Sequence, residues 1–230
     1  MTTLSVVVPT YNEAENVQEL LERIKSSLGD QSFDVVVVDD NSPDGTADVV
    51  ERLSAKWGNI KLLRRRGKMG LGSAVVDGMK AADGKIIVVM DADLQHPPEL
   101  LPKMINKASE GYDIIVASRY MDGGSIEKWG TLRRIVSKGA AFLAHLLFLK
   151  TRAVRDVVSG FFLFKKGVVE GVRLSPTGYK ILLEILVKGR YGRVAEVPYT
   201  FKPRKRGRSK LGLTEIINYA FFLLRLRLRP

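Results

Sequence analysis

Apolar positions along the chain follow two rhythms. Over residues 1–118 they come in short, continuous, β-branched runs: "LSVVVP", "FDVVVVDD", "IKLLRR", "GKIIVVMD" and "YDIIVASR". Runs of that length predict strands, and continuous rather than alternating apolarity predicts burial on both faces. Between them lie helix-like stretches at about 13–28, 46–57, 71–82 and 98–110. Strand and helix in alternation predict a mostly parallel sheet with helices on both sides.

After Arg119 the rhythm changes. "MDGGSIEKWGT" reads as a glycine-rich loop. The next stretch carries apolar residues at 132, 135, 136, 139, 142, 143, 146 and 147, a helical stripe. "SGFFLFKK" and "RVAEVPYTF" read as strands, and "GYKILLEILVKG" as a helix. "KPRKRGRSKLG" reads as a basic loop, and "LTEIINYAFFLLRLRLRP" as a last amphipathic helix. The expected division is 1–212 as the main domain, including the helix at 131–149, with 213–230 as a C-terminal interface helix. No apolar run approaches the ~20 residues that span a bilayer, and no secretory signal is visible at the N-terminus.

Charge changes the picture. Residues 1–118 hold 13 Lys and Arg against 18 Asp and Glu, a balance of −5. Residues 119–230 hold 24 against 7, a balance of +17. The second half is therefore expected to meet something anionic. Nucleic acid is excluded as the partner, because no aromatic platform is interleaved with the cations. Cysteine is absent, which removes disulfides and thiolate metal sites.

The candidate chemistry sits where strands end. "VVVPTYNEAEN", "VVVVDDNSPDGT" and "VVMDADLQHP" each leave an apolar run on polar residues. In an open α/β sheet ligands bind at these carboxyl ends. Together they would line a crevice with Glu13, Asp39, Asp40, Asp91 and Asp93. Carboxylates gathered so closely repel unless a cation sits among them, and oxygen donors suit Mg2+ or Mn2+. Helix and turn capping is the competing role, above all for Asp44 and Asp48. His96 is expected to shape the turn into the next helix, His145 carries no chemistry, and Gly70 and Gly72 of "GKMGLGSA" are expected to pack at a helix start.

Four motifs in order, "VVVPTYNEAENV", "VVVVDDNSPDGT", "MGLGSAVVDGM" and "VVMDADLQHPPE", resemble family 2 glycosyltransferases of GT-A fold, and more closely the dolichol-phosphate mannosyltransferases. The resemblance implies GDP-mannose as donor, dolichyl or another polyprenyl phosphate as acceptor, and inversion at the anomeric carbon. It implies that Pro9, Tyr11, Glu13, Val38 and Asp40 line the nucleotide pocket. Asp91, Ala92 and Asp93 would hold the sugar nucleotide, with Asp91, Asp93 and Gln95 on the metal. Lys180, Arg204 and Lys210 would close over the donor, while Lys205, Arg206 and Arg208 fit a plain basic loop equally well. Arg119, at the end of the fifth strand, is expected to face the crevice and, with Arg133 and Ser137, to bind the acceptor phosphate. Asp156 and Ser159 fit either an orienting role or a turn. No Q-x-x-R-W motif occurs, in keeping with an ionised phosphate acceptor that needs no general base. A polyprenyl-phosphate glucosyltransferase using UDP-glucose is the alternative.

Such an acceptor lies in a bilayer. Association with a membrane surface, the active site on the cytoplasmic side, is therefore expected. So is help from an anchoring subunit or from transmembrane helices not in this sequence.

Overall fold

The computed structural model describes residues 3–175, 180–203 and 213–228. The chain lays down β1 (Leu4–Thr10), α1 (Val17–Leu28), β2 (Phe33–Asp39), α2 (Thr46–Trp57), β3 (Ile60–Arg64), α3 (Leu71–Ala81), β4 (Ile86–Val89) and α4 (Leu101–Ser109). There follow β5 (Ile114–Ser118), β6 (Ser125–Ile126), α5 (Thr131–Leu147), β7 (Phe162–Lys165), α6 (Ile181–Lys188), β8 (Val194–Pro198), β9 (Thr200–Phe201) and α7 (Leu213–Leu228). Among the described residues, seven strands form one sheet in the order β3-β2-β1-β4-β7-β5-β8. β7 runs antiparallel to both its neighbours, and every other pair in this sheet is parallel. β6 and β9 make a separate two-stranded ribbon.

The continuous apolar runs are buried on both faces, as their composition predicts. Alternate residues of β1 serve opposite cores, Val6 and Val8 facing one and Val7 the other. The Val6 side packs against α1, α2 and α4, with Leu20, Ile24, Val50 and Met104 in its centre. The Val7 side packs against α3, α5, α6 and α7, with Val75, Ala144, Leu183 and Phe222 among its members. α7 therefore shares the core of the sheet domain through one face, while Phe221, Leu224 and Leu228 on its other face are exposed. α5 divides in the same way, with Ala141 and Ala144 buried and Ile135, Phe142 and Leu146 exposed.

Two element starts differ from the sequence pattern, for local reasons. α1 begins at Val17, not 13, because the intervening residues form a turn tied to the β2–α2 loop. α4 begins at Leu101 after a 3-10 turn over Pro98–Leu100. Close packing fixes α3 on the sheet: a Cβ on Gly78 would stand 2.4 Å from Val7 Cγ1.

Candidate active site

β2, β1 and β4 are neighbours, so their carboxyl ends share one edge. The loops after β1 and β2 are stitched together there. The amides of Asn12, Glu13 and Ala14 donate to Ser42 Oγ (2.9 Å), Thr46 Oγ1 (2.9 Å) and Asp44 Oδ2 (3.0 Å). Asn12 and Asn41 take left-handed backbone, φ 61° and 58°, which their short side chains tolerate. Asp44 also accepts from Thr46 N and Oγ1. Burial acts to raise its pKa, but these hydrogen bonds outweigh it and leave the carboxyl below its ordinary range. Asp39 is likewise spent on Thr10, Ser42 N and Ser42 Oγ. Both acids hold the loop frame, and the crevice expected to contain Asp39 has it turned to that work.

Asp40 is buried against Arg65. Its Oδ1 lies 2.8 Å from Arg65 Nη1, an ion pair too poorly aligned to count as a hydrogen bond. Its Oδ2 accepts from Gly70 N at 2.9 Å. Arg65 continues to Gly70 O and Ser73 Oγ, so one buried guanidinium ties the end of β2 to the start of α3. Lys68, in the loop so held, lies 4.1 Å above the Tyr11 ring. Gly70 has φ +97°, a conformation in which a side chain would be strained. Pro9 and Val38 are buried at the same edge, and the Val38 side chain faces the core. What Val38 can present to a nucleotide is therefore main chain.

After β4 the chain turns sharply. Leu94 adopts φ 61°, unusual for a branched apolar residue and a mark of strain at a working site. That conformation lets Gln95 N donate to Asp93 Oδ1 at 3.1 Å. Gln95 Nε2 donates to Lys202 O at 2.6 Å, which orients its amide. His96 is buried, and its Nδ1 accepts from Asp91 N at 3.1 Å. The ring packs among Phe161, Tyr199 and Phe201 and shapes the turn, as expected. Asp91 remains about one-third exposed, whereas Asp93 is buried. Gly160 lets the β7 side approach: a Cβ there would sit 3.0 Å from Asp91 Oδ2 and 3.1 Å from His96 Cε1.

Asp91, Asp93 and Gln95, the expected ligands, have oxygen donors of the kind that would fit a hard divalent cation. Among the described residues no group of three or more His, Cys, Asp and Glu converges on one point. Two carboxylates with an amide suit Mg2+ or Mn2+, ions that keep coordination positions for phosphate oxygens and water.

Arg119 differs from its expected pose. The side chain is nearly buried, and its Nε and Nη2 grip the two oxygens of Asp156 at 2.7 Å each. Asp156 also accepts from Arg119 N, while Glu196 accepts from the amides of Arg155 and Asp156. Burial acts to release the guanidinium proton, but the Asp156 carboxylate overrides it and raises the pKa. Nε and Nη2 are thus committed to Asp156, and Nη1 is not part of that fork. Trp129 then brings the expected pair together. Its ring lies 5.5 Å from the Arg119 guanidinium and 4.0 Å from that of Arg133.

Ser137, one turn along α5 from Arg133, is partly buried. Lys180 stands at the start of α6, its Nζ 5.7 Å from the Tyr219 ring. Arg204 and Lys210, with Lys205, Arg206 and Arg208, lie outside the described residues. Arg65, Trp129, Gly160 and Glu196 are the site residues that sequence reasoning missed. The signal for Arg65, one of three consecutive arginines, looks like an ordinary basic surface.

A sequence model of glycosyl transferase family 2 matches residues 5–173. The chain belongs to that family. It is also 37% identical to the dolichol-phosphate mannosyltransferase of Saccharomyces cerevisiae, over 94% of this chain and 83% of that protein. Identity to the dolichol-phosphate mannosyltransferase of Pyrococcus furiosus is 49%, over 97% of this chain but 63% of that protein. Within family 2 the chain therefore groups with the dolichol-phosphate mannosyltransferases, and it spans about three-fifths of the Pyrococcus relative. The fold also matches glucosyl-3-phosphoglycerate synthase from Mycobacterium tuberculosis, solved with Mn2+, UDP-glucose and phosphoglyceric acid. There the TM-score is 0.70 at 20% identity, covering 99% of this chain and 79% of that one. Such low identity speaks for the GT-A fold alone. The glucosyl alternative is not favoured, since the relatives of higher identity are mannosyltransferases.

Proposed function

We propose that this family 2 member transfers mannose from GDP-mannose to dolichyl or another polyprenyl phosphate, with inversion. The Asp91-Ala92-Asp93 turn at the end of β4, in a chain 49% identical to a dolichol-phosphate mannosyltransferase, carries the reading. Pro9, Tyr11, Glu13, Val38 and Asp40 bind the nucleoside, and Arg65 positions Asp40 for it. Asp91, Asp93 and Gln95 hold Mg2+ or Mn2+, and Ala92 lies against the donor. Bound there, the cation supplies charge stabilisation to the departing diphosphate. Lys180, Arg204 and Lys210 close over the donor. Arg133, Ser137 and Nη1 of Arg119 orient the acceptor phosphate around Trp129. A phosphomonoester, with a second pKa of about 6, is largely ionised at neutral pH and attacks without a general base.

The acceptor is a membrane lipid, and the surface supports that reading. Ile135, Phe142 and Leu146 on α5, Leu149 just beyond its end, and Ile217, Phe221, Leu224 and Leu228 on α7 are exposed. Among the described residues no helix is long and apolar enough to cross a membrane. Both helices lie along the cytoplasmic bilayer surface, apolar stripe inward, as interfacial helices do.

Transfer of radiolabelled mannose from GDP-mannose to polyprenyl phosphate tests the reading. Activity is expected with Mg2+ or Mn2+ and lost in chelator. Asp93→Asn is expected to lower kcat/KM by on the order of 100-fold or more while leaving the fold intact. Equal activity with UDP-glucose, or full activity in chelator, would overturn it.

A further inference from the structure

Away from the donor crevice, a cavity of about 530 Å3 opens between residues 171–175, α6 and the second half of α7. Among the described residues, four cations line it, Arg173, Lys188, Arg190 and Arg225, against one acid, Glu184. Phe222 supplies an apolar wall. The volume falls within the range of small-molecule sites.

The cavity is built, and not merely charged. Glu184 is almost fully buried, and its Oε1 accepts from Ser175 N at 2.8 Å and pairs with Lys188 Nζ at 3.2 Å. Lys188 Nζ in turn donates to Arg173 O at 3.3 Å. These contacts hold a largely buried ammonium on the wall. Glu184 Oε2 is buried without a hydrogen-bond partner among the described residues, so Ser175 N and Lys188 hold this carboxylate through Oε1 alone. Four cations against one carboxylate call for an anion, and arginines suit phosphate oxygens.

Position on α7 says where that anion comes from. At about 100° per residue, Ile217, Phe221, Leu224 and Leu228 share one arc. Arg225 borders it, while Phe222 and Leu226, which also line the cavity, lie on the buried face of the helix. The cavity thus meets the edge of the exposed apolar stripe at Arg225. With that stripe in a bilayer interface, Arg225 and the cavity stand at headgroup depth.

We propose that this cavity is a binding site for the phosphodiester headgroup of an anionic membrane lipid, separate from the acceptor site. The phosphate pairs with Arg173, Arg190 and Lys188. The proposal rests on the membrane-facing reading of α7, but its test does not need a bilayer. Dihexanoyl phosphatidylglycerol, kept monomeric below its micelle concentration, is titrated calorimetrically into the whole chain. Dihexanoyl phosphatidylcholine and inorganic phosphate are titrated in parallel.

Saturable one-site binding of the phosphatidylglycerol is expected, at least tenfold tighter than either control. Arg173→Gln with Arg190→Gln, both surface changes, should weaken it tenfold or more while leaving mannosyl transfer from soluble donor to short-chain acceptor unchanged. No saturable binding, or binding unaltered in the double variant, overturns the site. Inorganic phosphate binding as tightly as the lipid overturns the lipid assignment. Failure of the membrane reading shows itself separately: the unaltered chain would not sediment with anionic vesicles, whatever monomeric lipid does.

Discussion

Arg119 and Asp156 show what a single buried pair decides. Both side chains are nearly or wholly out of water, and each satisfies the other with two hydrogen bonds. Breaking such a pair by removing one partner strands the other charge and costs about 3–5 kcal/mol. Asp156→Ala is expected to lower the urea midpoint accordingly. Arg119→Lys keeps the charge but loses the fork, and is expected to retain much of that stability while transfer falls. Equal losses of stability in the two variants would leave the fork no role of its own. The aspartates of "DAD" could be read from sequence because carboxylates rarely end an apolar strand without work to do. Arg65 and Gly160 could not. Their importance lies in what stands opposite them, Asp40 in one case and Asp91 with His96 in the other, and a linear pattern carries no such proximity.

Elements were legible in proportion to their burial. β1, β2 and β4 announce themselves as valine- and isoleucine-rich runs, and both cores form where that apolarity predicts. The direction of β7 was not legible, since "FFLF" packs equally well either way up and only the connection through α5 sets its sense. Nor was the late start of α1: "NEAEN" has helix-compatible composition, yet three of its amides are taken by the neighbouring loop. Packing between elements yields a paired prediction. Gly78→Ala forces a methyl into Val7 and Val38 and is expected to cost about 1–3 kcal/mol. Gly139→Ala, on the exposed side of α5 with no atom within 4 Å of the new Cβ, is expected to gain about 0.5–1 kcal/mol from helix propensity. Chemical denaturation of both variants checks the sign as well as the size.

At the scale of the molecule, charge and apolar surface point the same way. The excess of +17 over residues 119–230 belongs to the half that carries α5 and α7 with their exposed leucines and phenylalanines. Each cation held near an anionic leaflet contributes about 1 kcal/mol, and salt removes that part while apolar insertion persists. Sedimentation with anionic vesicles is therefore expected at low salt and only partly reversed at high salt. Phe221→Glu with Leu224→Glu should remove the salt-resistant fraction. A salt-resistant fraction unchanged in that variant would place the contact elsewhere.

The antiparallel insertion of β7 also reaches back to the moment of synthesis. β4 pairs with β1 on one side, but its other side waits for Phe162–Lys165, roughly seventy residues further along. At roughly 5–20 residues per second, that strand emerges several seconds after β4. For that interval the nascent chain holds an apolar edge with open backbone donors and acceptors, a ready template for a second chain. Ribosome-bound chains arrested near residue 155 should therefore recruit a holdase or cross-link to one another. Because β5 in turn waits for β8, chains arrested far enough past residue 198 for both β7 and β8 to clear the exit tunnel should do neither.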